Sequence, residues 1–206
     1  MTGTIGGAAL RDPAWVTARI AEMGRSWGTD SCRAAGTLWW CMVASALVKP
    51  VVGAYAARSA VPTVELDRIN CPVRADGGIE TISLADDPAP DPRAAAQALR
   101  ASLISVIATV AQASGAGIPA LWAVVADAIG NRAIDAGAPA IAPTLAHDVG
   151  GKLPTPRFQE VAGRTFVKRI SCCLVFEAPG CAMCTSCPKR PAAEREQLLT
   201  ALTTGN

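Results

Sequence analysis

Five of the chain's eight cysteines fall within sixteen residues, at Cys172, Cys173, Cys181, Cys184 and Cys187, in the stretch RISCCLVFEAPGCAMCTSCPKR that runs from Arg169 to Arg190. Thiolates bind soft or borderline metal centres. A short C-x2-C turn brings two sulfurs to one metal while its backbone N–H groups point back at them. The single histidine, His147, leaves no material for a multi-histidine site, so any metal here is held through sulfur. Five thiols compete for four ligand positions. Three solutions stay open on composition and spacing: a tetrathiolate zinc knuckle, a [4Fe–4S] cluster on Cys181, Cys184, Cys187 and one upstream cysteine, or a [2Fe–2S] cluster with two cysteines from each end.

The run C-x2-C-x2-C followed by Pro188 is similar to the bacterial ferredoxin pattern. There, however, a fourth cysteine follows after three residues and precedes the proline, which is not the order here. The vicinal pair Cys172–Cys173 is the more discriminating feature. Neighbouring side chains of an extended strand point to opposite faces, so both can serve one centre only if the backbone bends there. This pair, ten intervening residues and then C-x2-C (Cys172, Cys173, Cys184 and Cys187) resembles the C-terminal signature of the FhuF family of siderophore-iron reductases. Arg169 and Ser171 before the pair, Pro179 and Gly180 in the loop and Pro188 after the last cysteine fit the same setting. Upstream, only a largely helical plan with Trp122 in a helix is similar.

The resemblance implies a [2Fe–2S] cluster, one per chain, on Cys172, Cys173, Cys184 and Cys187, with Cys181 outside the ligand set. It implies a cytoplasmic oxidoreductase that passes one electron to the iron of a ferric siderophore, the hydroxamate type among the candidates, and takes it from a donor protein or reductant. Lys168, Arg169, Lys189 and Arg190 bracket the ligands. Cations there stabilise a reduced cluster, dock an acidic donor or hold an anionic siderophore, and otherwise form a solvated face. Ferric iron is gripped by oxygen donors and ferrous iron far more weakly, so one outer-sphere electron releases the metal without an acid or base. An iron–sulfur electron carrier without siderophore selectivity and a zinc-stabilised interaction domain are the competing functions.

Composition narrows the partners. The 206 residues carry 19 basic and 17 acidic side chains for a net charge of +2, too weak a field for a nucleic-acid binder, and half of them are apolar, enough for a real core. Met1 to Leu10 carries no basic region and only a short, glycine-interrupted apolar stretch before Arg11, Asp12 and Pro13, so a secretory signal is not expected there. Ala34 to Val48 is uncharged over only fifteen residues, short of the ~20 a spanning helix needs, and Ala101 to Ala126 is interrupted by Gly115, Gly117 and Pro119. No stable membrane span is expected.

The elements that must position the cysteines read as α+β, predominantly helical. A mainly helical domain over 1–160 carries a hairpin near 64–84, and 161–206 forms the cluster-binding segment. Asp12–Pro13 caps a helix with Val16, Ile20, Met23 and Trp27 on one face; Thr29 to Ser31 caps a second, through Trp39, Trp40 and Met42, that Pro50 kinks or ends. Asp76, Gly77 and Gly78 mark a tight turn between two strands. Asp86, Asp87, Pro88 and Pro90 form a linker before Asp91–Pro92 caps a third helix, striped by Leu99, Leu103, Val106 and Val110. A further helix with Ile118, Leu121, Trp122, Val125 and Ile129 pairs with it as a helical hairpin. Residues 137–156 read as irregular, Phe166 to Ile170 as a strand and Glu194 to Leu202 as a terminal helix. Gly115, Gly117 and Ala120 imitate a dinucleotide fingerprint, but Pro119 marks a turn between helices instead. His147 beside Asp148 reads as structural or exposed, the five tryptophans as mainly core, and Cys32, Cys41 and Cys71 as buried free thiols.

Overall fold

The structure is a computed structural model and describes residues 3–85, 89 and 91–204. It is predominantly helical with two small antiparallel sheets. The chain order is β1 (Gly3–Gly6), α1 (Pro13–Trp27), α2 (Cys32–Ala57), β2 (Ile69–Val73), β3 (Ser83–Leu84), α3 (Pro92–Ser114), α4 (Ile118–Asp135), α5 (Ala142–Val149), β4 (Phe158–Val161), β5 (Arg164–Val167) and α6 (Ala192–Thr204).

Three of the helix starts are built by the side chains that mark them in the sequence. Asp12 accepts from the amides of Ala14 and Trp15, Ser31 from Ala34, and Asp91 from Ala94 at 2.8 Å. Gly28 and Gly115, both at positive φ, end α1 and α3 in the left-handed conformation that glycine adopts without strain. The Gly115–Pro119 stretch is thus the expected turn between helices. Asp86, Asp87, Pro88 and Pro90 of the expected linker lie outside the described residues.

Helix α2 is the hub, packing against α1, α3 and α4. It runs 26 residues, because Pro50 removes one N–H donor without ending it. The fifteen-residue estimate from the sequence is corrected accordingly: α2 and α3 are both long and apolar enough to cross a membrane, and half of each apolar window is buried inside the domain. Trp39 and Trp40 are fully buried, with their indole N–H groups donating to the carbonyls of Gly77 (2.8 Å) and Leu121 (2.9 Å). The first bond pins the Asp76–Gly78 turn onto the core, where Gly77 has φ +80° and a Cβ would sit 2.9 Å from the Arg19 carbonyl. Leu99, Leu103, Val106 and Val110 of α3 are all buried as their spacing requires. Trp27 and Ile118 depart from the expected stripes. They lie at the last and first residues of their helices and are 39% and 40% exposed.

Strands β2 and β3 pair antiparallel within residues 64–84, and β1 adds a third strand on the other side of β2 that the glycine-rich N-terminal sequence did not suggest. The expected hairpin of α3 with α4 is subordinate to the contact each makes with α2. Residues 142–149, read as irregular, form α5. Ala142, Leu145, Ala146 and Val149 recur at helical spacing and are buried, while the flanking prolines and glycines hide this period in the sequence. His147 is exposed on that helix.

Candidate metal centre

The cysteine segment enters from the β4–β5 hairpin, whose two-residue turn places Ala162 and Gly163 at positive φ. The hairpin lies against α4 at Gly130, where a Cβ would be 3.0 Å from the Val167 side chain. One helical turn before Gly130 on the same face is Asp127, 3% exposed and the only charged side chain among the buried residues of its helix. Its carboxylate takes over the backbone as β5 ends. Oδ1 accepts from the Ile170 amide at 2.9 Å, and Oδ2 accepts from the Ser171 amide at 2.9 Å and the Ser171 hydroxyl at 2.7 Å. Ionic and amide donors together satisfy a carboxylate that would otherwise be expensive to bury. The expected strand therefore stops at Val167; the Lys168 amide still donates across the hairpin to the Arg157 carbonyl at 2.8 Å, and residues 169–171 are then held by the Asp127 side chain.

Directly after the vicinal pair the backbone turns at Leu174, a non-glycine residue at φ +61°, into a single helical turn over Val175–Glu177. The amides of Leu174 and Val175 then donate to the sulfurs of Cys172 and Cys173 respectively. The two thiols take different partners across the loop. Cys172 Sγ lies 3.7 Å from Cys187 Sγ, and Cys173 is hydrogen-bonded to Cys184. Cys184 also accepts from Arg169 Nη1 at 3.5 Å.

Sharing of a proton splits the second pair. The hydrogen bond from Cys184, aided by the Val175 amide and the Arg169 guanidinium and opposed by burial, pulls the Cys173 thiol down to about 5; Cys184, which keeps the proton, is pushed up. Burial raises Cys172, with the Leu174 amide acting against it. For Arg169 burial opposes the charge, but Cys41, Cys173, Cys184 and Asp127 around it hold the guanidinium above its ordinary value.

The second limb is closed from α6. Arg190 donates to the carbonyls of Cys184 (3.0 Å) and Met183 and pairs with Glu194, while Arg195 reaches the carbonyls of Cys187 and Arg190. Glu177, in the loop between the cysteine pairs, contacts Ser31 and Arg33 at the start of α2, each at 3.4 Å. Of the four cations suggested for docking, Arg169 and Arg190 are thus tied into the loop itself. Lys189 lies 4.7 Å over the Phe176 ring, and Lys168 is exposed.

Cys181 is half-buried and no other thiol among the described residues is hydrogen-bonded to it. Cys71 is buried, and this raises its thiol to about 11. Cys32, expected to be buried, is exposed because it occupies the first residue of α2. Cys41 corrects the sequence view in another way. Remote from the cluster in sequence, it faces Arg169, Cys173, Asp127 and Cys172 from α2, with burial pushing its thiol up to about 12. Asp127 was missed altogether, although a lone carboxylate among alanines and valines was a usable signal.

Among the described residues no three His, Cys, Asp or Glu side chains gather closely enough to hold a single metal ion. The sulfurs stand instead as two pairs. Two thiolates about 2.3 Å from one tetrahedral metal lie ~3.7 Å apart, the separation of Cys172 and Cys187.

The fold and the paired thiols define a helical protein with a C-terminal sulfur-ligand loop. Residues 169–189 match the FhuF 2Fe-2S C-terminal domain, so the chain carries a domain of this iron–sulfur kind at that place. No curated protein matches the chain.

Proposed function

We propose that this chain is a ferric-siderophore reductase. The observation that carries the proposal is the match of residues 169–189 to the FhuF 2Fe-2S C-terminal domain together with four of its thiols standing as two pairs. Cys172 with Cys187 and Cys173 with Cys184 would hold the [2Fe–2S] group, two sulfurs for each iron. A single four-thiolate zinc fits this disposition less well, since no three ligands converge among the described residues. When bound, the group accepts one electron and gives it up again.

The residues of the chain set the conditions for that exchange. Amides of Leu174 and Val175 and the Arg169 guanidinium donate to the sulfurs and so favour the thiolates that metal binding requires. Half-burial of four of the five cysteines keeps the centre near the surface, within reach of a donor and of a bulky iron chelate. Lys168 and Lys189 are available to attract anionic partners; Lys189 is placed by Phe176. The helical portion, residues 1–160 with the 64–84 sheet segment, provides the surface on which the siderophore rests, and residues 161–206 bring the centre to it. The cytoplasm, which keeps thiols reduced, is the proposed compartment.

The test is to reduce the purified protein anaerobically, add a ferric hydroxamate siderophore and follow Fe(II) with a ferrous chelator. Stoichiometric Fe(II) release with reoxidation of the protein is expected. Reoxidation by protein acceptors without Fe(II) release from siderophores would make it an electron carrier instead.

A further inference from the structure

Asp127 is the point at which the helical domain grips the metal loop, and the grip continues through one arginine to the sulfurs. All of the carboxylate's donors come from the three residues immediately before Cys172: the Ile170 amide, the Ser171 amide and hydroxyl, and Arg169 Nε at 3.5 Å. The Asp127 and Arg169 side chains are only 4% and 16% exposed, so their attraction is little screened by solvent. The guanidinium does not end there. Its Nη1 lies 3.5 Å from Cys184 Sγ, and it also hydrogen-bonds Cys173, so one planar cation joins the carboxylate on one side to a sulfur pair on the other. The Cys172–Cys187 pair is reached by the Leu174 amide instead.

A bridge that served stability alone would need only the carboxylate and the backbone it holds. Turning the fork of the guanidinium toward two thiols costs rotamer freedom and brings charge to a place where charge changes on reduction. We propose that Asp127 is a positioning residue that fixes Arg169 against the Cys173–Cys184 sulfurs, and that the cation so placed raises the affinity of the centre for its electron. This rests on the [2Fe–2S] function proposed above. Reduction moves one electron from a donor to the centre, adds one negative charge beside the guanidinium and breaks no bond of the chain.

The experiment is an anaerobic spectroelectrochemical titration with redox dyes of the full-length wild type, Arg169→Gln, Arg169→Lys, Asp127→Asn and the Asp127→Asn/Arg169→Gln double variant, each first assayed for iron and acid-labile sulfide. Arg169→Gln is expected to make reduction at least tenfold less favourable, about 59 mV for one electron. Arg169→Lys recovers part of that loss. In the Asp127→Asn background the same Arg169→Gln change is expected to have less than half its effect, because the guanidinium is already released. Should Asp127→Asn fail to hold the centre, Asp127→Glu, which keeps the charge but displaces the carboxylate from its contact with Arg169 Nε, replaces it in the cycle with the same direction expected. Equal shifts in both backgrounds, or an unchanged potential in Arg169→Gln, with iron and sulfide present, overturn this inference and leave the proposed function standing. Wild-type protein without iron and sulfide overturns both.

Discussion

In the helical core, α2 is enclosed on most sides by α1, α3 and α4, and its stability is spread over dozens of buried side chains, from Trp39 and Trp40 to Leu99, Leu103 and Val125. From Lys168 to Arg190 the arrangement is the reverse. That segment has few fully buried side chains, and its shape depends on a handful of point contacts: Asp127 on residues 169–171, Glu177 on Ser31 and Arg33, and Arg190 on the carbonyls of Met183 and Cys184. Dispersed packing tolerates local damage because its losses are graded, whereas a loop held by single polar contacts loses its geometry when one is removed. The difference separates folding from function. The core is expected to weaken without moving the sulfurs, and the sulfurs to be lost without melting the core.

The sharpest break of that contrast is at the ligands. Cys172→Ser or Cys184→Ser is expected to abolish the visible absorption and bound iron of purified protein while the helical circular dichroism persists, and Cys181→Ser is expected to leave both in place. An unchanged spectrum in the first two would refute the ligand pairs. In the metal-free chain the thiols themselves should separate by pH. Cys173, drawn down to about 5 by Cys184, is ionised throughout pH 7 to 9, so its alkylation rate should be flat over that interval. Cys41, pushed up to about 12 by burial, should react far more slowly and accelerate about tenfold per pH unit. Mass-spectrometric mapping of iodoacetamide adducts reads both.

In the core, Leu103→Ala removes a fully buried side chain of α3 and should cost about 2–5 kcal/mol in a denaturant melt, with iron per folded chain unchanged. Loss of iron in the folded fraction would show that core and loop are coupled more tightly than their contacts suggest. The smallest effect belongs to Glu177→Gln. Its partners are 3.4 Å away and Arg33 is well exposed, so stability should fall by less than about 1 kcal/mol, with a small drop in cluster retention during aerobic incubation.

The two regions also differ in what their sequences disclose. Caps and stripes are local, so Asp12, Ser31, Asp91 and the four buried residues of α3 could be read directly. Where the local signal is contradictory the reading failed: Pro50 concealed the length of α2, prolines and glycines concealed α5, and the glycines of β1 gave no strand pattern until β2 supplied a partner. The cysteine spacing left three ligand sets open, and only the resemblance to a known signature singled out Cys172, Cys173, Cys184 and Cys187; the turn at Leu174 that follows the vicinal pair had no mark in the sequence. Nor could the spacing disclose the support. Asp127 acts across 44 residues on Ser171, and Cys41 arrives from another helix, so only the packing of α2 and α4 brings them to the loop.

A two-iron centre on the paired sulfurs fixes the metal content of the purified protein. Iron, zinc and acid-labile sulfide should be measured per chain after strictly anaerobic purification. About two irons and two sulfides per chain with negligible zinc are expected. One zinc without sulfide would contradict a two-iron centre.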